Sequence, residues 1–199
     1  MNLMENNIKW IKPFAFYNLS NIQEINLSLN QIELIEDKAF YLLPNIKRIN
    51  LYQNYIKPIS SFSFSNQHYL LLFGFHLNDL INVTRYVEDP LQMNTIKTID
   101  LSSNHIQTLT SDSFDQFETV DRINIDTNII AEVRSFTFHK PKNLTRIDYK
   151  LNLFESDSSG FIFENQKRII LLNFYKNYFS LFNSRLDSNE LFLNDIIIK

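Results

Sequence analysis

At 199 residues, with 44% hydrophobic and 21% charged side chains, the chain can bury a sizeable core and does not read as disordered. Its formal charge of -3 offers no broad field to attract nucleic acid or an anionic membrane. The absence of cysteine removes thiol chemistry, disulfides and thiolate metal sites, and with only Gly74 and Gly160 the glycine-rich loops that cradle phosphates and dinucleotides are excluded.

The first stretch, Met1 to Trp10, carries Glu5 and three asparagines and lacks the apolar centre of a secretory signal. No apolar run reaches the roughly 20 residues that span a bilayer, so no membrane contact is expected in this segment. From there the chain is periodic. Between Ile46 and Phe64 it reads Ile-x-x-Ile-x-Leu-x-x-Asn-x-Ile-x-x-Ile-x-x-x-x-Phe, and Leu70 opens the next copy 24 residues after Ile46. A period of that size indicates stacked repeats forming a solenoid.

With the asparagine as origin, the copies centre on Asn6, Asn30, Asn54, Asn78, Asn104, Asn128, Asn152 and Asn177, spaced by 24 to 26 residues. Eight residues before the asparagine stand Ile22, Ile46, Leu70, Ile96, Val120, Leu144 and Ile169. Five before stand Met1, Ile25, Ile49, Phe73, Ile99, Ile123, Ile147 and Leu172; three before stand Leu3, Leu27, Leu51, Phe75, Leu101, Ile125, Tyr149 and Phe174. That alternation has the period of two of a short strand with one buried face. Apolar residues two and five after the asparagine, such as Ile32 and Ile35, continue the core, and Asp157 alone breaks these columns. Side by side, eight or nine such strands form a parallel ribbon about 40 Å across at roughly 4.8 Å per strand. Where each strand ends, a side-chain amide that both donates and accepts can satisfy backbone groups left without a regular ladder.

Ten residues after the asparagine comes phenylalanine at Phe16, Phe40, Phe64, Phe114 and Phe138. Regular spacing favours a packed row of rings on the convex side over a ligand cage. The pattern loosens twice. Two extra residues lie within Arg85 to Met93, where Glu88 interrupts the phenylalanine column, and Glu155 to Lys167 includes Asp157. Both are candidate bulges.

The segment Ile-Lys-Arg-Ile-Asn-Leu-Tyr-Gln-Asn-Tyr-Ile at 46 to 56 resembles the consensus stretch of leucine-rich repeats. The 24-residue length with a late phenylalanine is similar to the subclass found in Toll-like receptor and Slit-like ectodomains. The resemblance implies an α/β solenoid, an arc with a parallel concave sheet and an irregular or short-helical convex side. It further implies a single array over residues 1–199 that recognises a protein ligand or co-receptor, in an extracellular or membrane-protein ectodomain. The alternative is a structural scaffold, which could be cytoplasmic. Such ectodomains carry a secretion signal and cysteine-rich caps; this chain shows neither, and residues Leu193, Ile196 and Ile198 fall at the positions of one more strand. A fragment of a longer protein is therefore expected.

The strand residues that point away from the buried columns form the candidate binding face. They include Arg48, Tyr52, His76, Asp100, Arg122, Asp126, Arg146, Asp148, Lys150 and Tyr175, a mixed polar surface with the tyrosine and arginine anchors common in protein recognition. Ser102 belongs to the same columns and is expected to face solvent. Asp100, Asp126 and Asp148 lie in consecutive copies beside Arg122, Arg146 and Lys150; they read either as a patch for a charged partner or as ion pairs that satisfy one another. Paired carboxylates also serve glycosidases, but nothing here encloses them in a cleft. The histidines, at 68, 76, 105 and 139, share no repeat position, and no metal, cofactor or catalytic constellation is visible. Four Asn-x-Ser/Thr acceptors for N-glycosylation occur at Asn18, Asn26, Asn82 and Asn143. A glycan on Asn26 would obstruct the first third of the face.

Overall fold

The computed structural model describes residues 1–57, 72–83, 96–115, 117–154, 162–163, 166, 168–177 and 195–197. Leu70, Phe64, Glu88, Asp157, His68, Leu193, Ile198, the whole of Arg85 to Met93 and most of Glu155 to Lys167 lie outside them.

From the second copy on, the described repeats contribute three-residue strands where the sequence alternates. β2 (Glu24–Asn26), β4 (Arg48–Asn50), β5 (Leu72–Gly74), β6 (Thr98–Asp100), β8 (Arg122–Asn124), β10 (Arg146–Asp148), β11 (Leu171–Asn173) and β12 (Asp195–Ile197) form one eight-stranded sheet. All its pairs are parallel. The register follows the repeat without a slip: Ile25 stands opposite Ile49, Ile99 opposite Ile123, Ile147 opposite Leu172. Leu172 in turn stands opposite Ile196, which lies in a further strand. At the other edge Asn2 bridges Asn26. A slip by one residue would turn each apolar pair to solvent, which is why the alternating pattern pins the register.

The core is the set of columns seen in sequence. Ile25, Ile49, Ile99, Ile123, Ile147 and Leu172 are buried, as are Leu27, Leu51, Phe75, Leu101, Ile125, Tyr149 and Phe174. The column five residues after the asparagine is less uniform: Ile11, Ile35 and Leu109 are buried, whereas Val83 and Val133 are half-buried. There the chain makes short parallel pairs, β1 (Trp10–Ile11) with β3 (Leu34–Ile35) and β7 (Thr108–Leu109) with β9 (Glu132–Val133). The convex side is irregular, built of turns, with no helix among the described residues.

The asparagine ladder performs the two-way duty its chemistry allows. Asn104 Oδ1 accepts from the Leu80 amide of the preceding turn at 3.0 Å, while its Nδ2 donates to the carbonyls of Phe75, Leu101 and Ser102. Asn30, Asn54, Asn78, Asn128 and Asn152 repeat this pattern and are buried. The terminal Asn6 is exposed and bonds only within its own turn, to Leu3 and Met4. The residue just before each asparagine is left-handed in all eight copies: Glu5, Leu29, Gln53, Leu77, Ser103, Thr127, Leu151 and Lys176 have φ between 52 and 57°. A side chain there costs about 1–2 kcal/mol, yet the turn is required to aim the asparagine inward.

The phenylalanine column packs as a spine. Phe16 stacks on Phe40 at 5.1 Å and Phe114 on Phe138 at 5.3 Å. Phe163, which the spacing rule misses, continues the row on Phe138 at 5.5 Å. It lies eleven residues after Asn152 rather than ten, in a copy one residue longer than most.

Candidate functional site

The open face of the sheet carries three rows of side chains, six, four and two residues before the ladder asparagine. The middle row has a structural duty that its spacing did not suggest. Asn2, Asn26, Asn50, Asp100, Asn124 and Asn173 each accept, through Oδ1, the amide two residues on. These Asx turns end the strands and explain the preference for Asn and Asp there.

Asp148 departs from that rule, and the departure organises the later half of the face. Its Oδ2 accepts from Arg122 Nε at 3.0 Å and Arg146 Nε at 2.7 Å, and its Oδ1 from Arg146 Nη2 at 2.8 Å. Arg122 Nη2 also lies 2.8 Å from Oδ2. The expected surface position of Asp148 is corrected: it is 1% exposed beneath the two arginines. Burial alone would raise its pKa; the hydrogen bonds of Arg146 and the charges of Arg122 and Arg146 outweigh that and hold it below the usual value. The amide that Asp148 would have capped, on Lys150, donates instead to Asp126 Oδ1 at 2.6 Å, and Lys150 Nζ pairs with Asp126 Oδ2 at 3.4 Å. For Asp126 burial prevails over Lys150 and raises the pKa. Thus these charges satisfy one another, while the half-exposed outer edges of Arg122 and Arg146 stay accessible.

A second cluster lies in the earlier copies. The rings of Tyr52 and His76 stack at 5.4 Å, 8° from parallel. His76 Nδ1 is 2.7 Å from Ser102 Oγ, which donates to Asp100 Oδ1 at 2.6 Å. Asn124 Nδ2 also donates to Asp100, at 3.2 Å. Ser102 therefore does not face solvent as expected; it is 5% exposed, covered by the neighbouring turns, and Ser28 is buried in the same way. Arg48, by contrast, is exposed beside Glu24 at 3.9 Å, and Tyr175 is exposed under Lys176.

The N-glycosylation acceptors differ in setting. Asn18 and Asn82 are exposed. Asn26 is half-buried with its Oδ1 held by Ser28, and Asn143 accepts from Arg168 at 2.9 Å. Among the described residues no group of three or more His, Asp or Glu could hold a metal ion, and no helix is long and apolar enough to cross a membrane.

No curated protein matches the chain. Among solved structures, a chain of the Drosophila Toll–Spatzle complex superposes with a TM-score of 0.79 at 21% identity, covering 96% of this chain and 25% of that one. A chain of the TLR13–ssRNA13 complex gives 0.68 at 18% identity, covering 90% and 28%. Internalin C2 of Listeria monocytogenes gives 0.63 at 16% identity, covering 98% and 78%. The chain spans about a quarter of the length of the Toll chain, and identities this low carry the fold alone. A leucine rich repeat model matches residues 1–56, and the model of the BspA type leucine rich repeat region (6 copies) matches residues 90–191, more than half of the chain. Asparagine ladder, parallel sheet and family models agree, and the chain belongs to the leucine-rich repeat family.

Proposed function

We propose that this segment recognises a protein ligand or co-receptor on the open face of its sheet, as part of a receptor or adhesion ectodomain outside the cell. The observation that carries this reading is the fixed orientation of Arg122 and Arg146. Four donor contacts to the buried Asp148 hold both guanidinium groups in place before any partner arrives, so little side-chain entropy is lost on binding. Arg48, Tyr52, His76, Asp100, Asp126, Lys150 and Tyr175 complete the surface. An RNA ligand, such as the one in the TLR13–ssRNA13 complex, suits this chain less well. The carboxylates of Asp126 and Asp148 already occupy Lys150, Arg122 and Arg146, and the net charge is -3.

The test is a display screen of the chain against a library of extracellular proteins, with each binder re-measured on two variants. Arg122→Ala with Arg146→Ala alters the open face, and Lys12→Ala with Tyr17→Ala alters the exposed opposite side. Binders lost with the first pair and kept with the second support the reading. Binders lost only with the second pair overturn it.

A further inference from the structure

The Tyr52–His76 pair carries a more specific assignment, which rests on the open face being the recognition surface. Ser102 has one hydroxyl hydrogen. That hydrogen points to Asp100 Oδ1, because the Oγ–Oδ1 distance is 2.6 Å and a carboxylate can only accept. The Ser102 oxygen must then be the acceptor in its 2.7 Å contact with His76 Nδ1. The neutral imidazole therefore carries its proton on Nδ1, and the lone pair sits on Nε2. Among the described residues no group bonds Nε2. Asp100 accepts from Ser102 and Asn124, and among the described residues no basic side chain pairs with it. The neighbouring carboxylates are occupied differently: Asp126 has Lys150, and Asp148 has Arg122 and Arg146. This part of the face thus offers an acceptor nitrogen, an aromatic face on Tyr52 and an unneutralised carboxylate together.

We infer that His76, locked in its Nδ1–H tautomer by Ser102 and Asp100, is the acceptor for a cationic side chain of the partner, an arginine or lysine laid beside Tyr52. A guanidinium or ammonium group can donate to Nε2, lie against the tyrosine ring and complement Asp100. An acidic group meets a lone pair and a like charge at the same place. Ser102 and Asp100 act as positioning residues, and Tyr52 and His76 make the contact.

The lock is tested on the chain alone by long-range 1H–15N correlation of the neutral His76 ring. Wild type should show the Nδ1–H tautomer, and Ser102→Ala should shift the ring toward an even or Nε2–H population while circular dichroism stays unchanged. A wild-type ring that is mainly Nε2–H overturns the assignment. Specificity is tested by titrating N-acetyl-arginine methylamide and N-acetyl-glutamate methylamide into the same sample. The arginine probe should move the His76 Nε2 and Tyr52 ring signals at least threefold further than the glutamate probe, and Ser102→Ala should abolish that difference. Equal shifts from both probes overturn the cationic assignment. Neither readout needs the natural partner, so a failed library screen and a failed tautomer lock are separate results.

Discussion

Asp148 shows how one residue can set the energetics of a surface. Arg122 and Arg146 are direct cross-strand neighbours, an arrangement that like charges disfavour, and the buried carboxylate between them makes it tenable. Asp148→Ala should cost about 2 kcal/mol, since it leaves two facing, half-exposed guanidinium groups without their counter-ion; urea denaturation measures this, and no loss would show the arginines relaxing freely to solvent. The same residue sets an acid limb. Because its folded pKa is depressed, its stabilisation is fully present above the unfolded value near 3.9 and is lost as pH falls below it. Asp126 has the opposite sign: its pKa is raised, so its ionisation penalty is relieved on acidification. Asp148→Asn should therefore flatten the fall in melting temperature below about pH 4, whereas Asp126→Asn should not. Tyr149 is a simpler case. Its hydroxyl is buried without a hydrogen-bond partner among the described residues, between Phe154 and Phe174, and burial raises its pKa well above the ordinary value. Tyr149→Phe should leave packing intact and gain about 1 kcal/mol by removing an unsatisfied group, measured in the same titration; a loss would mean that the hydroxyl is satisfied in solution.

At the scale of the repeat element, strand, left-handed residue and asparagine act as one unit. Asn104→Leu preserves volume but strips partners from the Leu80 amide and the Phe75, Leu101 and Ser102 carbonyls. At about 1–3 kcal/mol for each buried unsatisfied group, a loss of 3 kcal/mol or more is expected. Thr127 tests the other half of the unit. It is a β-branched residue at φ 55°, the least suitable side chain for that region. Thr127→Asn should raise the melting temperature, as asparagine tolerates the left-handed conformation. These elements were legible in sequence because they repeat: a column of seven or eight apolar residues at fixed offset has one physical explanation, and Ile25, Ile49, Ile99, Ile123, Ile147 and Leu172 are buried accordingly. The site was less legible, because its geometry depends on contacts between turns. Nothing in the spacing of Ser102 reveals that His76 and Asp100 close over it, and nothing in the run of three aspartates singles out Asp148 for burial. Phe163 escaped because one added residue moves a ring off its column while the spine still recruits it. Ser102→Asp, harmless for a solvent-facing residue, should instead destabilise the fold by about 2 kcal/mol, in the range of a buried polar contact broken and a like charge added.

For the whole molecule, the consequence of stacking is that each turn is stabilised by its two neighbours and by little else. Ladder and sheet bonds join residues about one repeat apart, as in Asn54 to Leu27, Ser103 to Asp126 and Ile129 to Ile106. Stability should then behave as a sum of turn and interface contributions. Leu101 and Leu3 occupy the same column, but Leu101 is buried between neighbouring turns whereas Leu3 is partly buried, its amide bonded to Asn26 of the turn that follows. An aspartate at Leu101 places an unpaired charge in the core and weakens two interfaces; at Leu3 it weakens one. Hydrogen exchange on the 199-residue chain should show Leu101→Asp abolishing protection in the turns on both sides, with a transition broader than wild type. Leu3→Asp should fray residues of the first turn and leave protection from β4 onward intact. If both variants unfold the chain as a single block, coupling along the stack exceeds nearest-neighbour contact, and the Phe16–Phe40 and Phe114–Phe138 spine becomes the physical route for it, because its rings touch across successive turns. Phe114→Ala would then separate the two cases: it should cost about 3–5 kcal/mol in either, but only a chain coupled through the spine would lose protection in turns that Phe114 does not touch.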